Sequence, residues 1–291
     1  MTGSQVGSIG IGAAEILAVA GEADMVALFD RSLLLLSRTG LLCLGAPDIG
    51  HGPLNILLAG ADGWTAVRAA AGPGARWSFD RKRLATATQE ICLASATVWQ
   101  PVSWPAAADP AKLKDTARAL DAIVLQHAPV EGLARLIASG GRVVPTLVAR
   151  AAVVHIEALR RWLAAPRPDD APPVDLLGLG PGTTPSGDDV LAGVLLALDA
   201  LAERDVGRRL GAAIGAQAEA RTTPLSVALL RQAAQGRGAE CLAAVVSAVV
   251  AGDTDAVGPL APIAGRHGHS SGWDTLAGIG LALSARLAAR K

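Results

Sequence analysis

Aromatic residues and excess charge are scarce in this chain of 291 residues. It has no tyrosine, two phenylalanines and six tryptophans, so a platform of aromatic side chains for stacking nucleic-acid bases is not expected. The 26 basic residues are balanced by 26 acidic ones, which leaves no net positive charge to attract a phosphate backbone. The composition therefore predicts that nucleic acid is not a partner.

Cysteines and long apolar runs are also few. Cys43, Cys92 and Cys241 are isolated from one another, and their spacing fits neither a disulfide framework nor a zinc site. The longest apolar stretches carry charges or fall short of the roughly 20 residues that a membrane span requires. No secretory signal is evident near the N-terminus. We predict a cytoplasmic protein that does not enter a membrane.

The first third of the chain is patterned for strands. Short apolar runs, separated by turns rich in glycine and proline, extend from Val26 to Val102 and predict a small antiparallel sheet or barrel. The runs are 32–36, 41–44, 55–58, 91–93 and 97–99. The tight Arg38-Thr39-Gly40 connection predicts a hairpin. Residues 1–24 are weakly patterned and predict a flexible lead-in with a short helix over 13–20.

Helical patterning dominates after a group of prolines at positions 101, 105 and 110. The predicted helices are 111–126, 130–139, 143–164, 188–204, 206–220, 224–235, 238–251 and 273–290. The expected fold is therefore α+β, with a β-rich N-terminal domain over 1–105 and a larger all-helical domain over 106–291. Hydrophobic residues make up 51% of the chain, which is enough for a substantial core.

A stretch from Val174 to Leu198 organises the helical part. A loop rich in glycine, proline and hydroxyl residues leads into two aspartates and a long apolar segment, which is the pattern of a helix start. The pattern S-G-x-D-x-L-A-G-x-x-L-A-L occurs here from Ser186 and again, 85 residues later, from Ser271. Composition alone does not account for this repetition.

Two interpretations of the acids remain open. Asp188 occupies the place of the phosphate-binding lysine of a Walker loop, which excludes an ordinary nucleotide-binding loop. In the first interpretation Asp188 caps the helix and Asp189 faces a pocket, where it binds a cation or an amide-bearing substrate. In the second, both acids cap the helix and favour its dipole. The acid common to both copies is Asp189, which corresponds to Asp274.

The glycines downstream predict how the copies meet. If the two helices pair about a pseudo-twofold axis, Gly193 and Gly278 allow a close crossing, and both N-termini converge on one small anion. His269, just before the second copy, is a candidate general acid, general base or anion ligand. His267 is more readily explained as structural. Thr222 and Thr223 are expected to cap the next helix, because no acid accompanies them.

The candidate site follows from these patterns. The predicted catalytic residues are Asp189, Asp274 and His269. The predicted substrate-binding residues are Gly180, Gly182, Thr183, Thr184, Ser186, Gly187, Asp188, Ser270, Ser271 and Gly272. No metal is assigned, but Mg²⁺ is possible, because carboxylates with hydroxyls suit a hard cation.

The motifs G-L-G-P-G-T-T-P-S-G-D-D (178–189) and G-H-S-S-G-W-D-T-L-A-G (268–278) resemble those of the AllH-like family. T-T-P-L-S (222–226) and, more weakly, H-G-P-L (51–54) support the resemblance. It implies one subunit of an oxamate carbamoyltransferase of allantoin breakdown, which exchanges a carbamoyl group between oxalurate and phosphate. It also implies a small anionic carbamoyl-type substrate and partner subunits of the same enzyme.

Two other functions remain open beside this one. The chain could be an assembly subunit that contacts partners through helices faced with alanine and glycine and holds no reactant. It could also be a metal-assisted hydrolase of small amides, with the paired acids holding Mg²⁺. Whether Asp189, Asp274 and His269 lie around one pocket distinguishes a site from a set of helix caps.

Overall fold

A computed structural model describes residues 4–72 and 75–289 of the chain. The chain divides into two compact units, the first ending at Pro101 and the second beginning at Val102. The first contains a sheet and the second is built from helices, so the predicted α+β class is confirmed. That each unit folds as a separate domain stays a prediction.

The first unit is a closed ring of strands. Its strands are β1 Ser4–Gly10, β2 Gly21–Leu28, β3 Ser32–Ser37, β4 Leu41–Gly45, β5 Asn55–Leu58, β6 Arg76–Phe79, β7 Arg83–Ala85, β8 Glu90–Cys92 and β9 Thr97–Trp99. The order β5-β4-β3-β2-β6-β7-β8-β1 closes because β1 also pairs with β5, and β9 adds to β1. Eight strands are enough for side chains to fill the interior of a barrel.

The pairing is mixed in direction. β4 pairs with β5 in parallel, as β1 does with β8 and with β9, and the other pairs are antiparallel. The predicted hairpin is confirmed, since β3 and β4 pair antiparallel from Leu36 opposite Leu41 to Ser32 opposite Gly45. Leu33, Leu34 and Leu35 of β3 are buried, so both faces of this strand are covered.

In residues 1–24 the predicted flexible lead-in is wrong where the structure describes it, from residue 4, whereas the short helix predicted over 13–20 is present, shifted to 11–17. β1 closes the ring by pairing with both β8 and β5, and helix α1 (Ile11–Leu17) follows it directly. The strand is inconspicuous in sequence because glycines replace branched residues. Gly10 is required there, because a Cβ atom at this position would overlap the carbonyl oxygen of Gly52. Helix α2 (Ala61–Ala70) was also not predicted.

The second unit contains ten helices among the described residues. They are α3 Pro110–His127, α4 Ala134–Ala138, α5 Leu147–Ala164, α6 Ser186–Ala200, α7 Arg204–Gly215, α8 Ala218–Arg221, α9 Pro224–Ala233, α10 Glu240–Ala251, α11 Thr254–Gly265 and α12 Ser271–Ala288. Helix α11 was not predicted, because Pro259 and Pro262 lie inside it and proline normally interrupts a helix. Thr223 caps α9 by accepting a hydrogen bond from the amide of Ser226, as predicted. The cap predicted for Thr222 is wrong, because its hydroxyl donates to Asp188 instead.

Helices α6 and α12 form the centre of this unit. Both are apolar around most of their circumference, and nearly every residue of α6 is buried, from Ser186 to Ala200. A helix that is hydrophobic on all sides needs neighbours on all sides. Helices α3, α5, α9, α10 and α11 belong to the same hydrophobic cluster. Within the described residues, no helix has both the length and the hydropathy to cross a membrane.

Candidate functional site

The two echoed helix starts meet in space. Gly193 of α6 lies against the backbone carbonyl of Thr275 in α12, and Gly278 of α12 lies against the backbone carbonyl of Val190 in α6. Gly193 and Val190 are the first-copy equivalents of Gly278 and Thr275, so each contact is the image of the other. Reciprocal contacts of this kind define a twofold arrangement. The predicted pseudo-twofold pairing through these glycines is therefore present in the structure.

The repeat extends further than the matching letters indicate. The amide of Gly187 donates a 2.9 Å hydrogen bond to the carbonyl of Leu179, and the amide of Gly272 donates one of 2.9 Å to the carbonyl of His267. In turn, Leu179 and His267 each donate to a carbonyl three residues earlier. Three additional residues in the first loop, before Ser186, hide this correspondence in the sequence. Both copies therefore approach their helix through the same backbone turn.

Asp189 and Asp274 are buried at the starts of these helices. The exposed fraction of Asp189 is 7% and that of Asp274 is 0%. The Oδ2 atoms of both carboxyl groups are buried and have no hydrogen-bond partner. A buried polar atom without a partner costs about 1–3 kcal/mol. Such atoms are expected where a ligand completes the hydrogen bonding.

Burial also changes the acidity of both groups. The pKa of Asp189 is raised well above its ordinary value, first because the carboxyl is desolvated and second because the charge of Asp274 lies nearby. Desolvation raises the pKa of Asp274 to about 6, against the opposing effect of hydrogen bonds, the strongest from the amide of Leu133. The two carboxyl groups are close enough to influence each other electrostatically.

Hydroxyl groups from both copies surround the acids. Hydrogen bonding by Ser271 and by Thr184 favours the charged form of Asp189, and Ser186 and Ser270 do the same for Asp274. Each acid therefore interacts with two hydroxyls, one from its own copy of the motif and one from the other copy. The hydroxyls of Thr184 and Ser271 lie 2.7 Å apart and join the two loops directly. Four of the predicted substrate-binding residues therefore gather around the two predicted catalytic acids.

A turn that the sequence did not identify also contacts Asp274. The amides of Leu133 and Ala134 donate to its Oδ1 over 2.7 and 2.8 Å. Gly132, with φ +81°, has no room for a side chain, since a Cβ atom would lie 2.6 Å from Asp274 Oδ2. The helix predicted over 130–139 is reduced to α4, and this turn precedes it. Its contribution is made by backbone atoms, for which no residue type gives a signal.

Asp188 does not cap α6 but anchors the loop before it. The amide of Gly178 donates to Asp188 Oδ1 over 2.7 Å, and the hydroxyl of Thr222 donates to Oδ2. In the second copy Trp273 occupies this position and packs directly on Gly265. Both side chains hold the preceding segment of their own copy, one by hydrogen bonds and the other by apolar contact. Asp188 therefore has a structural explanation.

The remaining predicted residues lie in or beside the loops. Gly180 has φ +123° and approaches the amide of Ser186, and Gly187 and Gly272 pack tightly on the backbone of the preceding turns. Gly182 and Thr183 are exposed, and the carbonyl of Thr183 accepts a hydrogen bond from the hydroxyl of Thr223. These residues shape the first loop.

His269 lies at the surface rather than among the buried acids. Its side chain is 79% exposed, and its Nε2 is 3.7 Å from Oε2 of Glu131. Glu131 directly precedes the turn that contacts Asp274, so His269 is at the edge of the same region. His267 contributes its backbone carbonyl to the second turn.

The metal hypothesis gains no support from the donor atoms. Among the described residues, no group of three or more histidine, cysteine, aspartate or glutamate side chains is arranged to hold a metal ion. A Mg²⁺ ion at the helix starts would have at most the carboxylates of Asp189 and Asp274, with hydroxyls completing the shell.

The buried acids make stability dependent on pH. Because the pKa of Asp274 is about 6 in the folded chain and 3.8 ordinarily, the folded state holds the proton that the unfolded state loses between these values. The free energy of unfolding should therefore fall as the pH rises from 4 to 6, by roughly 2–3 kcal/mol for this group alone. Asp189 acts in the same direction.

Denaturant titrations of the wild type and of Asp274→Asn at several pH values measure this effect. We expect a shallower fall for the variant, which has lost one titrating group. Asp121, whose pKa burial raises to about 7, contributes equally to both proteins. Parallel curves for the two proteins would contradict the assignment of a raised pKa to Asp274.

These features define a class of protein: a β-barrel unit joined to a helical unit that contains an internal duplication, with two buried acids at the equivalent helix starts. Residues 176–283 match the model of the family described as oxamate carbamoyltransferase subunit AllH. The matched segment contains both copies of the motif, so the resemblance drawn from those motifs is confirmed there. No curated protein and no solved structure matches the chain.

Proposed function

We propose that the chain is a subunit of an oxamate carbamoyltransferase-type enzyme, and that the starts of α6 and α12 bind its small anionic carbamoyl-type substrate. One observation carries this proposal. The carboxyl groups of Asp189 and Asp274 are buried together, and each has an oxygen without a partner. The family description supports the assignment to such an enzyme and implies partner subunits.

The chemistry of the site suits such a ligand. Two helix N-termini contribute partial positive charge and free backbone N–H groups, which favour anions. The hydroxyls of Thr184, Ser186 and Ser271 can donate to carboxylate or phosphate oxygens. A carbamoyl group also carries N–H donors, which a purely anionic ligand lacks, and these require acceptors such as carboxyl oxygens. One small region therefore offers hydrogen-bond donors for anionic oxygens and acceptors for carbamoyl N–H groups.

The proposed reaction transfers a carbamoyl group between oxalurate and phosphate. The bond between the carbamoyl carbon and the bridging nitrogen of oxalurate breaks, and a bond from that carbon to a phosphate oxygen forms. The released nitrogen takes the proton that phosphate loses, which gives oxamate and carbamoyl phosphate. The acids of this chain would hold the carbamoyl group during the exchange, while partner subunits complete the site. His269 stays a proposed catalytic residue, and it would act from an exposed position beside Glu131.

The two alternatives are less well supported. Gly193 and Gly278 are buried in the contact between α6 and α12, so these glycine faces are not free for assembly with a partner. Because the described residues bring no third acidic, cysteine or histidine side chain to the site, a Mg²⁺-assisted hydrolase would depend on Asp189 and Asp274 alone, with hydroxyls and water. A purely structural assembly role does not explain why two buried carboxyl oxygens lack partners.

Calorimetric titration with oxamate and with carbamoyl phosphate tests the proposal. We expect the wild type to bind at least one of them and Asp189→Ala to bind it at least about 100-fold more weakly, a loss of roughly 2.7 kcal/mol. Asp255→Ala is the matched control, since Asp255 also lies in the first turn of a helix but is exposed. Equal affinity of Asp189→Ala and the wild type, or no binding of either compound by the wild type, would overturn the proposal.

A further inference from the structure

Asp189 and Asp274 occupy equivalent positions in unequal surroundings. Asp274 Oδ1 accepts two backbone hydrogen bonds, from Leu133 and Ala134. Asp189 has hydroxyl neighbours in place of this pair of amides, from Ser271 and Thr184. Two short amide donors stabilise a carboxylate strongly, whereas a hydroxyl can either donate to a carboxylate or accept from a neutral acid. The twofold arrangement therefore places two chemically different acids at one site.

Both groups are buried too deeply to be charged together. Their side chains are at least nine-tenths buried, and the leading causes that shift their pKa values are desolvation, the neighbouring acids and hydrogen bonds. Neighbouring carboxyl groups in such surroundings normally retain a proton, because two like charges in a poorly solvated site repel each other. The better hydrogen-bonded member of the pair keeps the negative charge, and here that member is Asp274.

Resting on the proposed function, we infer that Asp189 and Asp274 hold one proton between them, carried by Asp189, so that the site offers its ligand one acid O–H donor and one carboxylate acceptor. A primary amide group, –CO–NH₂, complements this pair. Its oxygen accepts from Asp189 and its nitrogen donates to Asp274. An isosteric carboxylate has no N–H to donate and carries a charge that Asp274 repels. The pair would therefore select a carbamoyl group over a carboxylate of the same shape.

The acidities of the two groups agree with this division. At neutral pH the pKa of about 6 leaves Asp274 mostly ionised, and its charge is one of the causes that raise the pKa of Asp189. Other titratable groups around these helices include Asp188 on α6, Asp121 on α3, His127 beside Trp273, and the exposed pair Glu131 and His269. His267, in the turn before α12, is a further one, and burial lowers its pKa. Asp188 has an influence on Asp189 smaller than that of Asp274 and in the same direction.

Infrared spectroscopy of the ligand-free protein, with ¹³C-labelled aspartate, tests the shared proton without any reactant. A protonated carboxyl group absorbs separately from a carboxylate. In the Asp121→Asn background, which removes a second buried acid whose pKa is about 7, we expect a protonated-carboxyl band at neutral pH that is lost when Asp189→Asn is added. In Asp274→Asn the same band should titrate at a lower pH, because the charge that raised the pKa of Asp189 is removed.

Ligand selection is tested by calorimetry with oxamate and oxalate. Oxamate carries a –CO–NH₂ group where oxalate carries a second –COO⁻ group. The wild type should bind oxamate at least about 10-fold more tightly than oxalate, since an unpaired buried acceptor and charge repulsion each disfavour the latter. Asp189→Asn should keep oxamate binding within about 10-fold, because the amide of asparagine replaces the acid O–H as a donor. Asp274→Asn should lose most of this preference.

The outcomes separate this inference from the proposed function. A spectrum of the Asp121→Asn protein without a protonated-carboxyl band at neutral pH overturns the shared proton, even if oxamate binds. Equal affinity for oxamate and oxalate overturns the selection of the amide. A band that is lost on adding Asp189→Asn, in a protein that binds neither oxamate nor carbamoyl phosphate, supports the shared proton and overturns the proposed function.

Discussion

Gly193→Ala and Gly278→Ala are each expected to lower the free energy of unfolding by about 3 kcal/mol or more. The added methyl group of either variant would overlap a backbone carbonyl oxygen of the facing helix, that of Thr275 or of Val190. Backbone atoms cannot move aside as a side chain can, so α6 and α12 would have to separate. Their contact forms the centre of the hydrophobic core of this unit, and the loss would spread through it.

Urea denaturation followed by helical circular dichroism measures this effect. Gly258→Ala in α11 is the matched control, because it is also a helical glycine and no atom lies within 4 Å of the added methyl group. Its expected effect is a gain of about 0.5–1 kcal/mol from helix propensity. If Gly193→Ala unfolded at the same urea concentration as Gly258→Ala, the close crossing of the two helices would be wrong.

Asp274→Ala is expected to have the second largest effect, with a loss of roughly 2–5 kcal/mol of stability in addition to the loss of ligand binding. Without the carboxyl group, the buried amides of Leu133 and Ala134 lose their acceptor, and each unsatisfied group costs about 1–3 kcal/mol. Asp274→Asn keeps an oxygen that can accept from both, so its cost in stability should be smaller. The aspartate thus has both a structural and a ligand-binding role.

Asp253→Ala provides the comparison for this variant. Asp253 accepts a hydrogen bond from the amide of Ala256 at the exposed start of α11, and removal of such a cap costs about 1 kcal/mol. Thermal and urea unfolding of the three variants should give the order Asp274→Ala, then Asp274→Asn and Asp253→Ala, from the least stable upwards. If Asp274→Ala were as stable as Asp253→Ala, the hydrogen bonds to the 132–134 turn would carry little of the stability.

Much of this arrangement could be predicted from the sequence because it depends on residue type and spacing. The repeated S-G-x-D-x-L-A-G pattern predicted that Asp189 and Asp274 open two equivalent helices and that Gly193 and Gly278 lie at their crossing. Most helix spans followed from apolar periodicity, and the β3–β4 hairpin followed from its turn residues. These features follow from residue type and local spacing and do not depend on distant contacts.

The remaining features depend on contacts that no local signal encodes. The 132–134 turn acts through its backbone amides, which every residue except proline possesses. The two adjacent acids, Asp188 and Asp189, have indistinguishable side chains, and only tertiary contacts to Gly178 and Thr222 assign the first of them to the loop. β1 was missed because its glycines serve close packing within the ring rather than strand propensity.

The reciprocal crossing of α6 and α12 also bears on the ancestry of the chain. Fusion of two identical polypeptides that once associated as a symmetric pair would leave this type of internal symmetry. Before the fusion, one gene would have encoded both identical polypeptides, and any substitution would have altered both of them at once. After duplication, one half could acquire tryptophan where the other has aspartate, and one carboxyl group could gain amide donors that its counterpart lacks. The loss of identity between the halves would then be the origin of their division of chemical labour.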